Sequence, residues 1–193
     1  VLDSFQRLAD TGCVEFLAET YYHSLSFLFS RTEFSEQVRA HCRKIKRLFG
    51  QQPKVFRNTE LIYNNELASY MEENFDFDGI LTEGADHIMG YRSPNFVYTP
   101  EGCSRLKLLL KNYRLSDDIA FRFSNKAWQE WPLDAGKYAN WLNAVNGCGT
   151  NINLFMDYET FGEHQWADTG IFDFMRHLPD EFLRNPDNNF MTP

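Results

Sequence analysis

The chain has 193 residues, 43% of them hydrophobic and 24% charged, and a formal net charge of −8. That length holds one domain with a sizeable core, or a large piece of a bigger one, and the composition is that of a soluble globular protein. The acidic balance argues against nucleic acid or an anionic membrane surface as the main partner, and no stretch is long and apolar enough to span a bilayer.

Residues 2–10 place Leu2, Phe5, Leu8 and Ala9 at helical spacing ahead of Gly12 and predict a short helix. "CVEFLA" (13–18) predicts a strand ending at Glu19. Thr32 is placed to cap a helix over 33–49, with Phe34, Val38, Cys42, Ile45 and Phe49 on one stripe and Gly50 as its terminator. The basic run Arg43-Lys44-Ile45-Lys46-Arg47 lies on that helix, as a solvated face that complements its C-terminus. "KVFRNT" (54–59) is the next strand, ending at Glu60, and Asn64 or Asn65 then starts a helix to Asn74. "GILT" (79–82) is a third strand, ending at Glu83, and a looser Gly- and Pro-containing stretch follows. Residues 105–111 and 118–123 read as short strands or mixed structure. Asp134 caps a helix that carries Tyr138, Trp141, Leu142 and Val145 and ends at Gly147. Residues 152–156 form the last strand, and a helix with Ile171, Phe172, Phe174, Met175 and Leu178 comes after it. Strand and helix alternate, so the class is α/β with right-handed parallel connections.

Aromatic residues reach 16%, with 18 Phe, 9 Tyr and 4 Trp. Sugar-binding clefts use aromatic faces in this way, and a Phe-rich core gives the same count. Cys13, Cys42, Cys103 and Cys148 are scattered with no Cys-x-x-Cys pair, which argues against a zinc site and lends little support to a disulfide framework. That scatter fits reduced thiols in a cytoplasmic protein, and Val1 opens no signal peptide, so either a leader was removed or the chain starts inside a longer protein.

One pattern recurs. "VEFLAE", "VFRNTE", "GILTE" and "LFMDYE" are apolar runs that each end in a carboxylate. In a parallel sheet or barrel the C-terminal strand ends share one face, where active sites are built. Glu19, Glu60, Glu83 and Asp157/Glu159 are therefore expected at one mouth, although acidic residues also follow strands simply to cap the next helix. Two carboxylates across a cleft suffice for retaining glycoside hydrolysis, one as nucleophile and one as acid and then base. The apolar Leu154-Phe155-Met156 run and Glu159 are neighbours able to raise the pKa of Asp157.

A metal hydrolase is the rival reading, because His, Asp and Glu at strand ends also bind metals. His23, His41, His87, His164 and His177 form no His-x-x-x-His or His-Glu-x-x-His pair. His41 and His177 fall in predicted helices, while His23, His87 and His164 fall in loops where a ligand, a sugar donor or a loop anchor are all open. Gly-x-Ser-x-Gly is absent, so a nucleophilic triad finds no support, and without the phosphate-binding loop or the dinucleotide fingerprint no nucleotide cofactor is expected.

"FRNTELIYNN" (56–65), "GILTEGADHIMGYRSPNFVY" (79–98) and "FMDYETFGEHQW" (155–166) resemble, in order, three motif regions of glycoside hydrolase family 57. "VEFLAETYYHSL" (14–25) resembles the second-strand region of its α-amylase-like members. The resemblance implies part of an incomplete, seven-stranded (β/α) TIM-like barrel that acts on α-glucans or maltooligosaccharides with retention, without metal or other cofactor. It implies Glu83 as nucleophile, Asp157 as general acid/base, Glu60 as a binder of sugar hydroxyls and His164 as a substrate contact. Arg57, His23, Arg92 and Trp166 are weaker candidates for substrate binding. The family's first motif, a His-Gln-Pro string on strand one, has no counterpart, so residues 1–193 are expected to be one partial catalytic domain that lacks this strand. A 4-α-glucanotransferase is the nearest enzyme alternative. A catalytically inactive α-glucan-binding fragment and a metal-dependent polysaccharide deacetylase are the others, the last disfavoured by the absent His-x-x-x-His.

Overall fold

In a computed structural model describing residues 1–193, the chain forms two compact units. One comprises Val1–Glu83, Val97–Leu110 and Met191–Pro193, the other Gly84–Phe96 and Lys111–Phe190.

The first unit opens with helix α1 (Leu2–Asp10) and the long helix α2 (Arg31–Phe49). Ser30, not Thr32, caps α2, its hydroxyl accepting the Glu33 N–H at 3.2 Å. A cap has to precede the first helical residue, and Thr32 already lies inside the first turn. Gly50 ends α2 at φ +72°, as expected of a left-handed terminator. Phe34, Val38 and Ile45 are buried along the α2 stripe, while Arg43, Lys46 and Arg47 stay exposed.

Strands β1 (Val55–Arg57), β2 (Gly79–Glu83) and β3 (Lys107–Lys111) form a three-stranded sheet in that order. β1 and β2 are parallel, with Val55 opposite Gly79 and Arg57 opposite Leu81. They are joined through helix α3 (Asn65–Asn74), whose cap Asn64 accepts the Leu67 N–H at 2.8 Å. "CVEFLA" does not become a strand, since Ala18 alone pairs with Phe56, in parallel. Gln51 takes the place of a neighbouring strand: it accepts the Phe16 N–H at 3.1 Å and donates to the Val14 carbonyl at 2.8 Å. Before β3, the Glu72 carboxylate accepts the N–H groups of Ser104, Arg105 and Leu106 at 2.9, 2.9 and 2.7 Å. These backbone donors, Leu106 foremost, hold its pKa down at about 2.

The second unit contains α4 (Asp86–Met89), α5 (Tyr113–Asp117), α6 (Ala135–Asn143) and α7 (Ile171–Leu183). Residues 118–122 are a π-helical turn continuing α5 rather than a strand, and Arg122 reaches back one turn to Asp118 at 2.6 Å. Asp134 caps α6 as expected, but the helix stops at Asn143, short of Gly147. In the expected last strand only Asn153 pairs, in parallel with Lys111. The Phe155 N–H turns to the buried Ser116 hydroxyl at 3.1 Å instead of a strand neighbour. Ile119, Phe123, Tyr138, Leu142, Ile171 and Phe174 belong to this unit's core, and the Tyr138 hydroxyl donates to the Leu115 carbonyl at 2.8 Å.

Much of the aromatic count is core, since Phe27, Phe34, Phe56, Phe77, Phe123 and Phe174 are all buried. Tyr22, Tyr91, Phe121, Tyr158 and Trp166 are exposed. No helix is long and apolar enough to cross a membrane.

Candidate functional site

In the first unit the site grows from the C-terminal end of β1. The Ala18 N–H donates to the Val55 carbonyl and the Arg57 N–H to the Ala18 carbonyl, at 2.8 and 2.9 Å, which sets Glu19 beside Arg57. Arg57 Nη1 donates to Glu19 Oε2 at 3.2 Å. The other Glu19 oxygen meets His23 Nδ1 at 2.5 Å, and His23 Nε2 meets Glu60 Oε1 at 3.1 Å. Four of the residues singled out from the sequence, Arg57, Glu19, His23 and Glu60, thus join in that order into one chain of charged groups.

A buried knot beneath this chain fixes its two loops. The hydroxyls of Thr20 and Thr59 lie 3.0 Å apart, and both reach the Ser24 carbonyl, at 3.2 and 3.0 Å. Thr82 on β2 donates to the Leu61 carbonyl at 3.2 Å, tying the turn at 59–61 to the next strand. His23, Glu60 and Leu61 have φ of +52°, +57° and +55°, and they are the non-glycine residues of the chain in the left-handed region. That conformation costs an L-residue about 1–2 kcal/mol. Such strain persists only where the surroundings impose it, and it gathers at functional positions.

Burial grades along the chain of charges. Side-chain exposure rises from 13% for Arg57 and 23% for Glu19 to 53% for His23 and 70% for Glu60, so Glu60 is the open end. The bond to Glu19, and secondarily that to Glu60, raises the His23 pKa above the ordinary histidine value. The charged form is stabilised because it can donate from both ring nitrogens at once.

Glu83 is half-buried at the end of β2, on the same sheet edge as the end of parallel β1. Gly84 follows it for a steric reason, since a Cβ there would lie 2.2 Å from the Lys111 carbonyl oxygen.

In the second unit, Asp157 leads into the 3₁₀ turn Tyr158–Thr160. It is exposed rather than enclosed by Leu154, Phe155 and Met156: Leu154 is itself exposed, and the other two are only half-buried. The Glu159 carbonyl accepts the N–H groups of both Glu163 and His164, at 3.1 and 2.9 Å, which fixes His164 in the same loop as Asp157. Gln165, 2% exposed, donates to the Ala120 carbonyl at 3.0 Å and anchors that loop to the π-helical turn.

Phe121 on the turn is 65% exposed and stacks on the His164 ring, with centroids 6.4 Å apart and planes 29° apart. The sequence reading missed Phe121, since its residues 118–123 show no clear period. Trp166, 66% exposed, follows in the same loop. Arg92 is exposed beyond α4, its guanidinium 5.4 Å from the Tyr91 ring centroid and its Nη1 3.4 Å from the Met89 carbonyl.

Each unit by itself offers carboxylates and an imidazole, and the second adds the aromatic faces of Phe121 and Trp166; such groups hold sugar hydroxyls and transfer protons at a glycosidic oxygen. Comparison with known proteins points the same way. A protein of Methanocaldococcus jannaschii named "Putative alpha-amylase" is 52% identical over 187 residues, which are 96% of this chain and 39% of that protein. The chain therefore spans well under half the length of this curated relative. Among solved structures, the 4-alpha-glucanotransferase of Thermococcus litoralis is similar with a TM-score of 0.71 at 17% identity, over 99% of this chain and 29% of its own. A family 57 branching enzyme of Thermococcus kodakaraensis gives 0.66 at 14% identity, over 98% of this chain and 50% of its own. At those identities the two structures speak for the fold. The Glycosyl hydrolase family 57 model matches residues 1–193 from end to end, and the chain belongs to that family.

Proposed function

We propose that this chain supplies catalytic residues of a retaining enzyme acting on α-glucans, with hydrolysis favoured over transfer to a second sugar. The observation that supports this most is the family match over residues 1–193, together with 52% identity to a relative named as an alpha-amylase. On this reading residues 1–193 are part of one catalytic domain of the incomplete, seven-stranded (β/α) barrel type.

Glu83 is the nucleophile. Its carboxylate attacks the anomeric carbon while Asp157, as the acid, gives its proton to the departing glycosidic oxygen. A β-linked glycosyl-enzyme forms, and Asp157, now a carboxylate, takes a proton from the incoming water. The water oxygen bonds to the anomeric carbon as the Glu83 ester breaks, so two inversions leave the α configuration. A sugar hydroxyl in place of water makes the same sequence a glucanotransferase. Glu60 receives a hydrogen bond from a sugar hydroxyl, and Arg57 and His23 offer weaker contacts beside it. His164, Trp166 and Arg92 offer further contacts to the glucan.

Azide separates the two carboxylate roles. With an α-glucosyl fluoride, whose leaving group needs no acid, Asp157→Ala is expected to accumulate the glycosyl-enzyme and yield an α-glucosyl azide. Glu83→Ala lets azide occupy the vacated nucleophile position and yields a β-glucosyl azide. Exchanged product configurations, or full maltooligosaccharide turnover in either variant without azide, would overturn the assignment.

A further inference from the structure

We propose that Glu19 is a positioning residue for glucan binding: backed by Arg57, it holds His23 as a charged donor that fixes the exposed Glu60 carboxylate. The inference rests on Glu60 as a sugar-binding group and extends that reading to Glu19, which acts on it through His23.

Geometry carries the argument. Glu19 divides its two oxygens, one accepting from Arg57 at 3.2 Å and the other meeting His23 at 2.5 Å. His23 in turn places its second nitrogen 3.1 Å from Glu60. Both His23 and Glu60 hold left-handed backbone, and the Thr20–Thr59–Ser24 knot joins the loops that carry them. A relay of this shape is built to present one carboxylate in one orientation. A structural ion pair would not need strained backbone at both of its ends.

The charges facing His23 are the carboxylates of Glu19 and Glu60 and, more weakly, the guanidinium of Arg57. His41 of α2 completes the surroundings of Glu19. Its Nδ1 accepts the Glu19 N–H at 3.3 Å, and burial lowers its pKa, so it brings no competing charge at neutral pH.

The sign follows. Below its raised pKa, His23 carries two N–H groups and donates to both carboxylates. As pH rises through that value one proton leaves, and one carboxylate oxygen then faces a nitrogen lone pair. The stronger contact, to Glu19, keeps the remaining proton, and Glu60 is released. Glucan binding therefore weakens on the alkaline side.

The experiment follows the His23 imidazole by NMR across pH, beside kcat and KM on maltoheptaose, in the protein that carries this chain. Glu19→Gln keeps the shape and removes the charge, and His23→Asn keeps a side chain that tolerates left-handed backbone. In Glu19→Gln the His23 titration is expected to move to lower pH. The alkaline rise in KM moves with it, and KM at neutral pH rises about tenfold, the effect of one charged hydrogen bond. Glu19→Asp is expected to recover part of the loss. His23→Asn is expected to remove the alkaline rise in KM, leaving only the fall in kcat that loss of the Asp157 proton causes, with the parental fold by circular dichroism.

A His23 that titrates at the ordinary histidine value, or unchanged in Glu19→Gln, would overturn the relay even in an active enzyme. A KM indifferent to both substitutions would overturn its link to binding. An intact, Glu19-dependent titration in a protein that neither binds nor cleaves maltoheptaose would instead overturn the α-glucan reading on which the link stands.

Discussion

Gly84 has no room for even a methyl group, because the Lys111 carbonyl oxygen would lie 2.2 Å from it. A backbone oxygen cannot rotate aside as a side chain can, so the chain itself would have to shift, and Glu83 is the adjoining residue. Gly84→Ala is expected to cost about 1–3 kcal/mol, the range for overpacked sites, and, with Glu83 as the proposed nucleophile, to lower kcat by displacing it. Urea unfolding and maltooligosaccharide turnover measure the two effects, and parental values in both would mean that the Lys111 carbonyl yields freely. At this scale, what was legible in the sequence was local. An apolar run that stops at Glu60 or Glu83 announces a strand end within a few residues. The bond between His23 and Glu60 spans 37 positions and was not legible, because nothing near His23 names its partner. Phe121 escaped for a related reason, since its exposure depends on a π-helical turn that no simple period marks.

Elements divide in the same way. Helices were readable because caps and apolar stripes repeat within a few residues, as the buried Phe34, Val38 and Ile45 of α2 demonstrate. The one misplaced cap is testable. Ser30→Ala is expected to cost about 1 kcal/mol through loss of the bond from the Glu33 N–H, whereas Thr32→Ala stays within about 0.5 kcal/mol. Equal losses in a denaturant titration would contradict the observed cap. Strands were less readable because pairing is decided by distant segments. "CVEFLA" has strand composition, yet Gln51 captures its backbone, and only Ala18 reaches β1.

The clasp ahead of β3 has a pH signature. Three backbone donors depress the Glu72 pKa from 4.5 to about 2 in the folded chain. Its folded pKa lies below the unfolded one, so its stabilisation is fully present above pH 4.5 and is lost as pH falls toward about 2. Glu72→Ala is expected to lower the urea midpoint at pH 7, and the difference from the parent should shrink steadily between pH 4.5 and 2. A difference independent of pH would assign the effect to packing rather than to the carboxylate.

Across the whole molecule, two compact units carry the fold, and the candidate residues are divided between them. Glu19, His23, Arg57, Glu60 and Glu83 belong to the first unit, Arg92, Asp157, His164 and Trp166 to the second. The alternation of strands and helices was visible along the sequence, but the division was not, because residues 84–96 and 97–110 exchange units without any linker composition to mark the change. Phe174 tests the consequence. It is 5% exposed, and its ring lies 5.1 Å from that of Phe123 and 5.7 Å from that of Tyr138. Phe174→Ala removes the shared member of those two ring pairs and is expected to cost about 3–5 kcal/mol. Two units predict that amide exchange accelerates most in α6 and α7, whose buried residues surround the cavity, while α2 and α3 keep more of their protection. Equal acceleration in all four helices would mean that the units unfold as one cooperative block. Acceleration confined to α6 and α7 would place the loop bearing Asp157 and His164 on a scaffold that can loosen while the strand end bearing Glu83 stays formed.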